Sequence, residues 1–192
     1  MSSIATHPIV VAGFLRERYG DELTLQFSRY FYRPRSVFDE REVFEVNIWE
    51  ISDSWLEAQF SSLRPGWELA LNSLVISKGG RRLHLPMIDF VGKDLGVVGT
   101  PRFTETVGRK LTSEMLYFDS GRSVHAYSIT LLTRSNWVKY MGRLLLLNEP
   151  GEKPRIDSRW IGHRLHSGYA ALRWSKNTNL YTSLPVRIRD IG

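Results

Sequence analysis

Alternation of apolar and polar residues predicts strands near both ends of the chain. One strand covers Leu23–Phe27 and a second covers Val43–Trp49, with a charged turn between them. Because the two runs are close in sequence, we expect them to pair. Alternation within 180–191 predicts a last strand. The apolar runs at 8–20 and 67–77 are compatible with either a strand or a short helix.

Helices are predicted where a capping residue precedes apolar residues at helical spacing. Ser52 begins one such segment, and Pro65 follows its end. Ser135 begins another, which stops before Pro150. A third helix is expected within 104–115, where Val107 and Leu111 lie four residues apart.

One carboxylate lies inside an apolar segment. Residues 83–91 read LHLPMIDFV and predict a single strand that contains Asp89. A carboxylate in such a setting lies either at a strand end that faces solvent or in a site that supplies a cation. Asp89 is therefore a candidate functional residue.

Two further polar groups follow in the same half of the chain. Segment 117–129 is a turn rich in Ser and Gly that leads into a strand with Ser123 and His125. These two residues are two positions apart and project to one face of that strand. Asp157 is expected at the end of a further short strand. A β-α-β-α-β order would bring all these residues, together with Asp89, to one face of a sheet.

The segment 154–178 combines one carboxylate with many cations and hydroxyl groups. These residues are Asp157, Arg159, His163, Arg164, His166, Ser167, Arg173, Ser175, Lys176 and Thr178. Carboxylates supply hard oxygen ligands for a metal ion, while guanidinium groups and hydroxyls bind phosphate oxygens. The segment is thus a candidate site for a metal ion beside a polyphosphate. The alternative interpretation is a solvated basic loop.

Composition indicates a folded and basic protein. The chain has 192 residues, of which 42% are hydrophobic, and fits one domain or two closely packed lobes. Its net charge of +6 favours a polyanionic partner. The absence of cysteine excludes disulfides and thiolate metal sites and is compatible with a reducing compartment. The short apolar run near the N-terminus predicts neither a signal peptide nor a membrane span, so we expect a cytoplasmic protein without a membrane partner.

The order of these groups resembles the archaeo-eukaryotic primase superfamily, the primase-polymerases. The resemblance is carried by MIDF with Asp89, SGRSVHAY with Ser123 and His125, and RID with Asp157. It covers residues 83–178. It implies an α+β fold with a catalytic core similar to an RNA-recognition motif (RRM), a mixed or antiparallel sheet with flanking helices, and an N-terminal α/β lobe.

The resemblance also implies the domain organisation and the roles of individual residues. A single domain would span 1–192, with the N-terminal lobe at 1–80 and the RRM-like catalytic half at 81–192. The catalytic residues would be Asp89, His125 and Asp157, with Asp89 and Asp157 as ligands of Mg²⁺ or Mn²⁺. The nucleotide would be bound by Ser123, His125, Arg164, Ser167, Arg173 and Lys176.

Two functions follow from the resemblance. The first is a metal-dependent nucleotidyltransferase that uses nucleoside triphosphates on a single-stranded or primed nucleic-acid template. Active members carry a second acid two residues after the first, where this chain has Val91, so it resembles the primase 1D-like branch with a single aspartate. The second function is therefore a weak or inactive nucleotide-binding or nucleic-acid-binding module. It would work in a replication, repair or defence assembly with a partner that supplies a helicase or further domains.

The basic segment offers two other candidate sites. His163 and His166 are three residues apart and could bind a metal from one helical face, but no cysteine and no clear third ligand accompany them. Ser167 lacks the G-x-S-x-G setting of a hydrolase nucleophile. Both alternatives are less well supported than the phosphate site.

Overall fold

A computed structural model describes residues 6–33, 36 and 40–189. Its helices are α1 Val10–Tyr19, α2 Asp53–Ser61, α3 Pro101–Val107, α4 Arg109–Thr112, α5 Arg134–Leu145 and α6 Ser158–Ser167. Its strands are β1 Thr24–Phe31, β2 Glu40–Asn47, β3 Trp67–Ile76, β4 Arg82–His84, β5 Met87–Asp89, β6 Met115–Asp119, β7 Val124–Ser128, β8 Ala171–Arg173 and β9 Val186–Ile188. Residues 190–191 of the predicted last strand lie outside the described residues.

The strands form two antiparallel sheets, which confirms the α+β class. The first sheet has the order β2-β1-β3-β4, and β8 also pairs with β3. The second sheet has the order β5-β7-β6-β9. The predicted pairing of the first two strands is correct, since Thr24 lies opposite Asn47. The apolar run at 8–20 contains a helix, α1, and the run at 67–77 contains a strand, β3.

One apolar core connects the elements across the chain. Phe27 of β1 contacts Trp174, with ring centroids 5.2 Å apart, and both side chains are fully buried. The first sheet includes β4 and β8, which come from beyond residue 80. The division into lobes at residue 80 stays a prediction. Among the described residues, no helix combines the length and apolar character needed to cross a membrane.

The predicted single strand over residues 83–91 is wrong, because this segment forms two strands in different sheets. His84 ends β4, which pairs with β3, whereas Met87 begins β5, which pairs with β7. Pro86 lies between them and has no N–H group to continue a strand ladder. The chain therefore crosses from one sheet to the other at this proline, and Asp89 becomes the last residue of a short strand.

The predicted helix over 104–115 is also interrupted. α3 begins earlier than expected, because the Thr100 side chain caps it by accepting a hydrogen bond from the Phe103 N–H at 3.2 Å. Gly108 separates α3 from α4 with a φ of +105°, which an L-residue adopts only with strain. The chain then enters β6, so Tyr117 belongs to a strand and not to the predicted turn.

Candidate functional site

A cleft of about 450 Å³ brings together residues of both sheets and α6. Its charged lining includes Asp89 and Asp157 on one hand and Arg41, Arg122, Arg159, Arg164 and Arg173 on the other. These five arginines exceed the two carboxylates, so the cleft is electropositive among the described residues. Such a lining favours an anionic ligand that is larger than a single carboxylate.

The two aspartates are neighbours because β5 meets the start of α6. Ile156 forms an antiparallel bridge with Phe90, and the Asp157 N–H donates to the Asp89 carbonyl oxygen at 3.1 Å. Asp157 caps α6, since its Oδ1 accepts a hydrogen bond from the Trp160 N–H at 2.9 Å. The predicted strand end at Asp157 is thus a single bridge followed at once by a helix.

The proximity of the two acids changes the ionisation of Asp89. Burial raises the pKa of Asp89 to about 7, and repulsion by Asp157 adds to the shift. The hydrogen bond from Ser123 and the charges of Arg173 and Arg164 oppose it without cancelling it. A cation placed between the carboxylates would favour the ionised form of Asp89.

Ser123 and His125 lie beside Asp89 because β7 pairs with β5. His125 is directly opposite Asp89 in the ladder, and its Nε2 lies 3.9 Å from the Asp89 Oδ1. The Ser123 hydroxyl donates to the same oxygen at 3.4 Å. The predicted placement of both side chains on one face therefore agrees with the geometry.

His125 is held as a neutral imidazole. Only 6% of it is exposed, and burial together with the charge of Arg173 lowers its pKa to about 3. Its Nδ1 is buried and has no hydrogen-bond partner within the described part of the chain. A neutral histidine retains one N–H donor and one acceptor nitrogen for a ligand at pH 7.

Helix α6 presents one polar face to the cleft. Asp157, Trp160, His163 and Arg164 follow at intervals of three and four residues, which places them on the same side of the helix. His163 lines the cleft, whereas His166 is exposed and lies outside the lining. The two histidines thus do not converge on one site, which argues against the zinc interpretation.

Six of the eight residues predicted for the site line the cleft. They are Asp89, Ser123, His125, Asp157, Arg164 and Arg173. Ser167 and Lys176 are exposed and are not part of the lining. Ser167 occupies the last turn of α6, which ends at Gly168, and Lys176 lies beyond β8 in the following loop.

Comparison with known families supports the resemblance that the sequence motifs suggested. Residues 47–186 match the family model described as archaeo-eukaryotic primase 1D-like. The chain belongs to this family. No curated protein and no solved structure matches the chain. The matched segment of this primase-like chain contains both carboxylates and the whole of α6.

Part of the cleft comes from residues that sequence reasoning did not assign to the site. Tyr30 and Arg41 precede the matched segment, and the Arg41 guanidinium lies 4.6 Å from the centre of the Tyr30 ring. The Tyr30 hydroxyl lies 3.3 Å from the Tyr181 hydroxyl. No local motif marks these residues, because only the β1–β2 pairing and the path of the C-terminal segment bring them to the cleft. Arg122 lay within the quoted motif SGRSVHAY but was given no role.

The donor set of this primase-like cleft fits one divalent ion. Within residues 6–33, 36 and 40–189, no group of three or more His, Cys, Asp or Glu side chains is arranged to hold a metal. Two carboxylates suit an ion that takes its other ligands from water and phosphate, as Mg²⁺ does. Val91, where the resemblance implies a second acid, is 44% exposed and outside the lining. A pair of ions held by protein ligands alone does not fit.

Proposed function

We propose that this primase-like domain is a divalent-metal-dependent nucleotidyltransferase of the primase-polymerase type, which uses nucleoside triphosphates on a nucleic-acid template. The observation that carries the proposal is the contact of Asp89 with Asp157, Ser123 and His125 inside an arginine-lined cleft. Membership of the primase-like family supports the same class of reaction. The charge of the cleft suits a triphosphate and a nucleic-acid backbone.

The carboxylates are proposed to hold the metal. Asp89 and Asp157 would bind Mg²⁺ or Mn²⁺, since both ions accept carboxylate oxygens and retain water. When bound, the ion supplies positive charge to the phosphate oxygens during transfer. The contribution of the chain is to keep two acids adjacent in a partly buried site. Because the pKa of Asp89 is raised to about 7, we expect metal affinity to weaken as the pH falls below neutrality.

The cations and the neutral histidine are proposed to bind and orient the triphosphate. His125 offers an N–H donor that does not repel the arginines, since it carries no charge at pH 7. Arg122 and Arg159 are exposed at the cleft and make no ion pair with a described carboxylate, so their charge is available for phosphate. Arg164 lies deeper, with 8% of it exposed, on the same helical face as Asp157. Charge neutralisation at these positions favours in-line attack on the α-phosphate.

We further propose that the second sheet is the RRM-like half predicted from the resemblance. The order of elements supports this assignment. Along the chain it runs β5, α3 and α4, β6, β7, α5 and the bridge at Ile156. Ile156 lies in the position of a fourth strand, antiparallel to β5 and adjacent to it at Phe90. In this arrangement the two acids occupy neighbouring strand ends.

A primase-like module that binds nucleotide or nucleic acid without polymerising is the second candidate. It is favoured by the exposed Val91 and by the lack of a third acidic ligand in the described residues. Such a module would require a partner protein for its biological role. The discriminating property is nucleotide binding that needs no divalent metal and survives Asp89→Ala.

The test is incorporation of labelled dNTPs and NTPs on primed and unprimed single-stranded templates with Mn²⁺. Wild type is compared with Asp157→Ala, and Asp94→Ala serves as a matched control because Asp94 is exposed and pairs with Arg155 outside the cleft. Incorporation that is lost only in Asp157→Ala supports the transferase. A folded wild-type chain that binds template and never incorporates would refute it and favour the binding module.

A further inference from the structure

The guanidinium group of Arg173 donates hydrogen bonds to three backbone carbonyls, which lie in two segments of the chain. Only 4% of Arg173 is exposed. Its Nη2 donates to the Ser120 carbonyl at 2.6 Å, and its Nη1 donates to the Ser183 carbonyl at 3.2 Å. Nη1 also donates to the Ser175 carbonyl. A planar fork with several fixed donors can make such contacts together, whereas a lysine ammonium cannot reproduce them.

These carbonyls belong to two structural units beside the cleft. Ser120 begins the motif turn, defined as residues 120–123, and Ser175 and Ser183 lie in the C-terminal loop, defined as residues 174–185. Tyr181 of this loop stacks on Arg173, with the guanidinium carbon 4.0 Å from the ring centre. Arg173 therefore contacts the motif turn and both halves of the C-terminal loop.

Gly121 shows how closely the motif turn and the C-terminal loop pack. Its φ is +104°, and a Cβ at this position would lie 2.3 Å from the Thr182 Oγ1 and 3.3 Å from the Ser183 nitrogen. A side chain here would require the Thr182 and Ser183 hydroxyls to move and the Ser183 nitrogen to give way slightly. The interface between the two units is thus formed by Arg173 on one side and by a glycine contact on the other.

A second anchor, Glu68, holds the start of the C-terminal loop and also accepts a hydrogen bond from the hydroxyl of Ser175, whose carbonyl accepts from Arg173. The Glu68 carboxylate is fully buried and accepts hydrogen bonds from the Asn177 N–H at 2.9 Å and the Thr178 N–H at 2.8 Å. These contacts involve neither the motif turn nor the Arg173 side chain. They provide an internal reference for any change confined to the Arg173 interface.

We propose that Arg173 is a positioning residue that docks the C-terminal loop against the motif turn and thereby holds Ser123 and His125 beside Asp89. This role differs from the phosphate contact that the sequence predicted for Arg173. The identity of the ligand rests on the proposed function, whereas the docking of the C-terminal loop does not. The competing role is direct ligand binding through Nε, which is buried and has no hydrogen-bond partner in the described chain.

The experiment compares two variants that disrupt the same interface in different ways. Arg173→Lys keeps the charge and removes the fork. Gly121→Ala keeps Arg173 intact and places a Cβ against Thr182 and Ser183 of the C-terminal loop. One matched control is Gly108→Ala, which has nearly the same positive φ with nothing within 4 Å. The other is Arg187→Lys on β9, the next strand along the chain. Hydrogen exchange is measured by NMR without nucleotide, followed by titration with a nonhydrolysable triphosphate and with the corresponding nucleoside.

Docking predicts that both interface variants speed exchange at the Ser120 and Gly121 amides by roughly tenfold or more, while the Asn177 and Thr178 amides stay protected. Both variants are then expected to weaken triphosphate binding by a similar factor, and the two controls are expected to change neither property. Unchanged exchange in Arg173→Lys or in Gly121→Ala would overturn the proposal. If wild type binds no nucleotide, the proposed function fails, and the exchange result still decides whether Arg173 docks the loop.

Discussion

His7 connects the segment before the family match to Trp174, and its titration gives a measurable test of the fold. Its ring is 5% exposed and packs edge-on against Trp174, the residue after Arg173. The Ile9 N–H donates a hydrogen bond to the Nδ1 of His7 at 3.1 Å. Nε2 therefore carries the proton and donates to the Trp174 carbonyl at 2.7 Å. Both nitrogens of the neutral ring are therefore used.

This environment lowers the pKa of His7 to about 4, because burial disfavours the charged ring. Protonation then favours the unfolded chain, where the pKa is near its ordinary value of 6.5. The stability due to neutral His7 is complete above about pH 6.5 and is lost as the pH falls toward about 4. The full difference corresponds to about 3 kcal/mol, of which about 2 kcal/mol is lost between about pH 7.5 and about pH 5.

The perturbation is His7→Gln, which retains a donor for the Trp174 carbonyl and cannot titrate. The free energies of unfolding of wild type and variant are measured by urea denaturation at about pH 7.5 and about pH 5. We expect the variant to be less stable than wild type at the higher pH, because it loses ring packing. The difference between their free energies of unfolding should narrow by about 2 kcal/mol at the lower pH. Other buried groups titrate equally in both proteins and cancel. A gap that is the same at both pH values would refute the assignment of a buried neutral His7.

Three further substitutions test the site and its supports. In buffer with a chelator, Asp89→Asn is expected to raise the free energy of unfolding by up to about 4 kcal/mol above pH 7. The reason is that the buried wild-type carboxylate is ionised at that pH, which destabilises the folded chain. This gain in stability should vanish near pH 3.8, the pKa of the carboxyl in the unfolded chain. Glu68→Gln should lower stability by at least about 2 kcal/mol in the same denaturation assay, since it weakens several charge-assisted bonds to the C-terminal loop. Thr133→Ala should cost about 1 kcal/mol through loss of the α5 cap, measured by thermal unfolding.

The proximity of Asp89 and His125 could be predicted, because short-range patterns mark the strands that carry them. Asp89 and His125 lie in short apolar runs with a turn before the second, and strands separated in this way commonly share a sheet. The helix that Asp157 caps was not predicted, although an Asp before a helical segment is a preferred cap. The break at Pro86 had an equally clear signal in the sequence, because a proline rarely continues a central strand.

The roles of the basic residues after Asp157 could not be predicted, because they depend on long-range packing. Lys176 follows β8 by a few residues and resembles a phosphate ligand in sequence, yet the loop beyond β8 leaves it exposed. Arg173 lies close to it in sequence and is buried with its guanidinium committed to carbonyls. The sequence therefore shows that basic residues follow the motif. Whether one of them binds a ligand or a backbone carbonyl depends on the groups that surround it in the fold.

The segment before the family match is part of the site and not an appendage. β1 lies between β2 and β3 in the first sheet, so its removal would break two ladders and expose the core around Phe27. The same segment supplies Tyr30 and Arg41 to the cleft. The matched residues 47–186 include both acids and the motif turn, whereas Tyr30 and Arg41 lie outside them. Part of the cleft lining is therefore set by β1 and β2 and not by the matched segment.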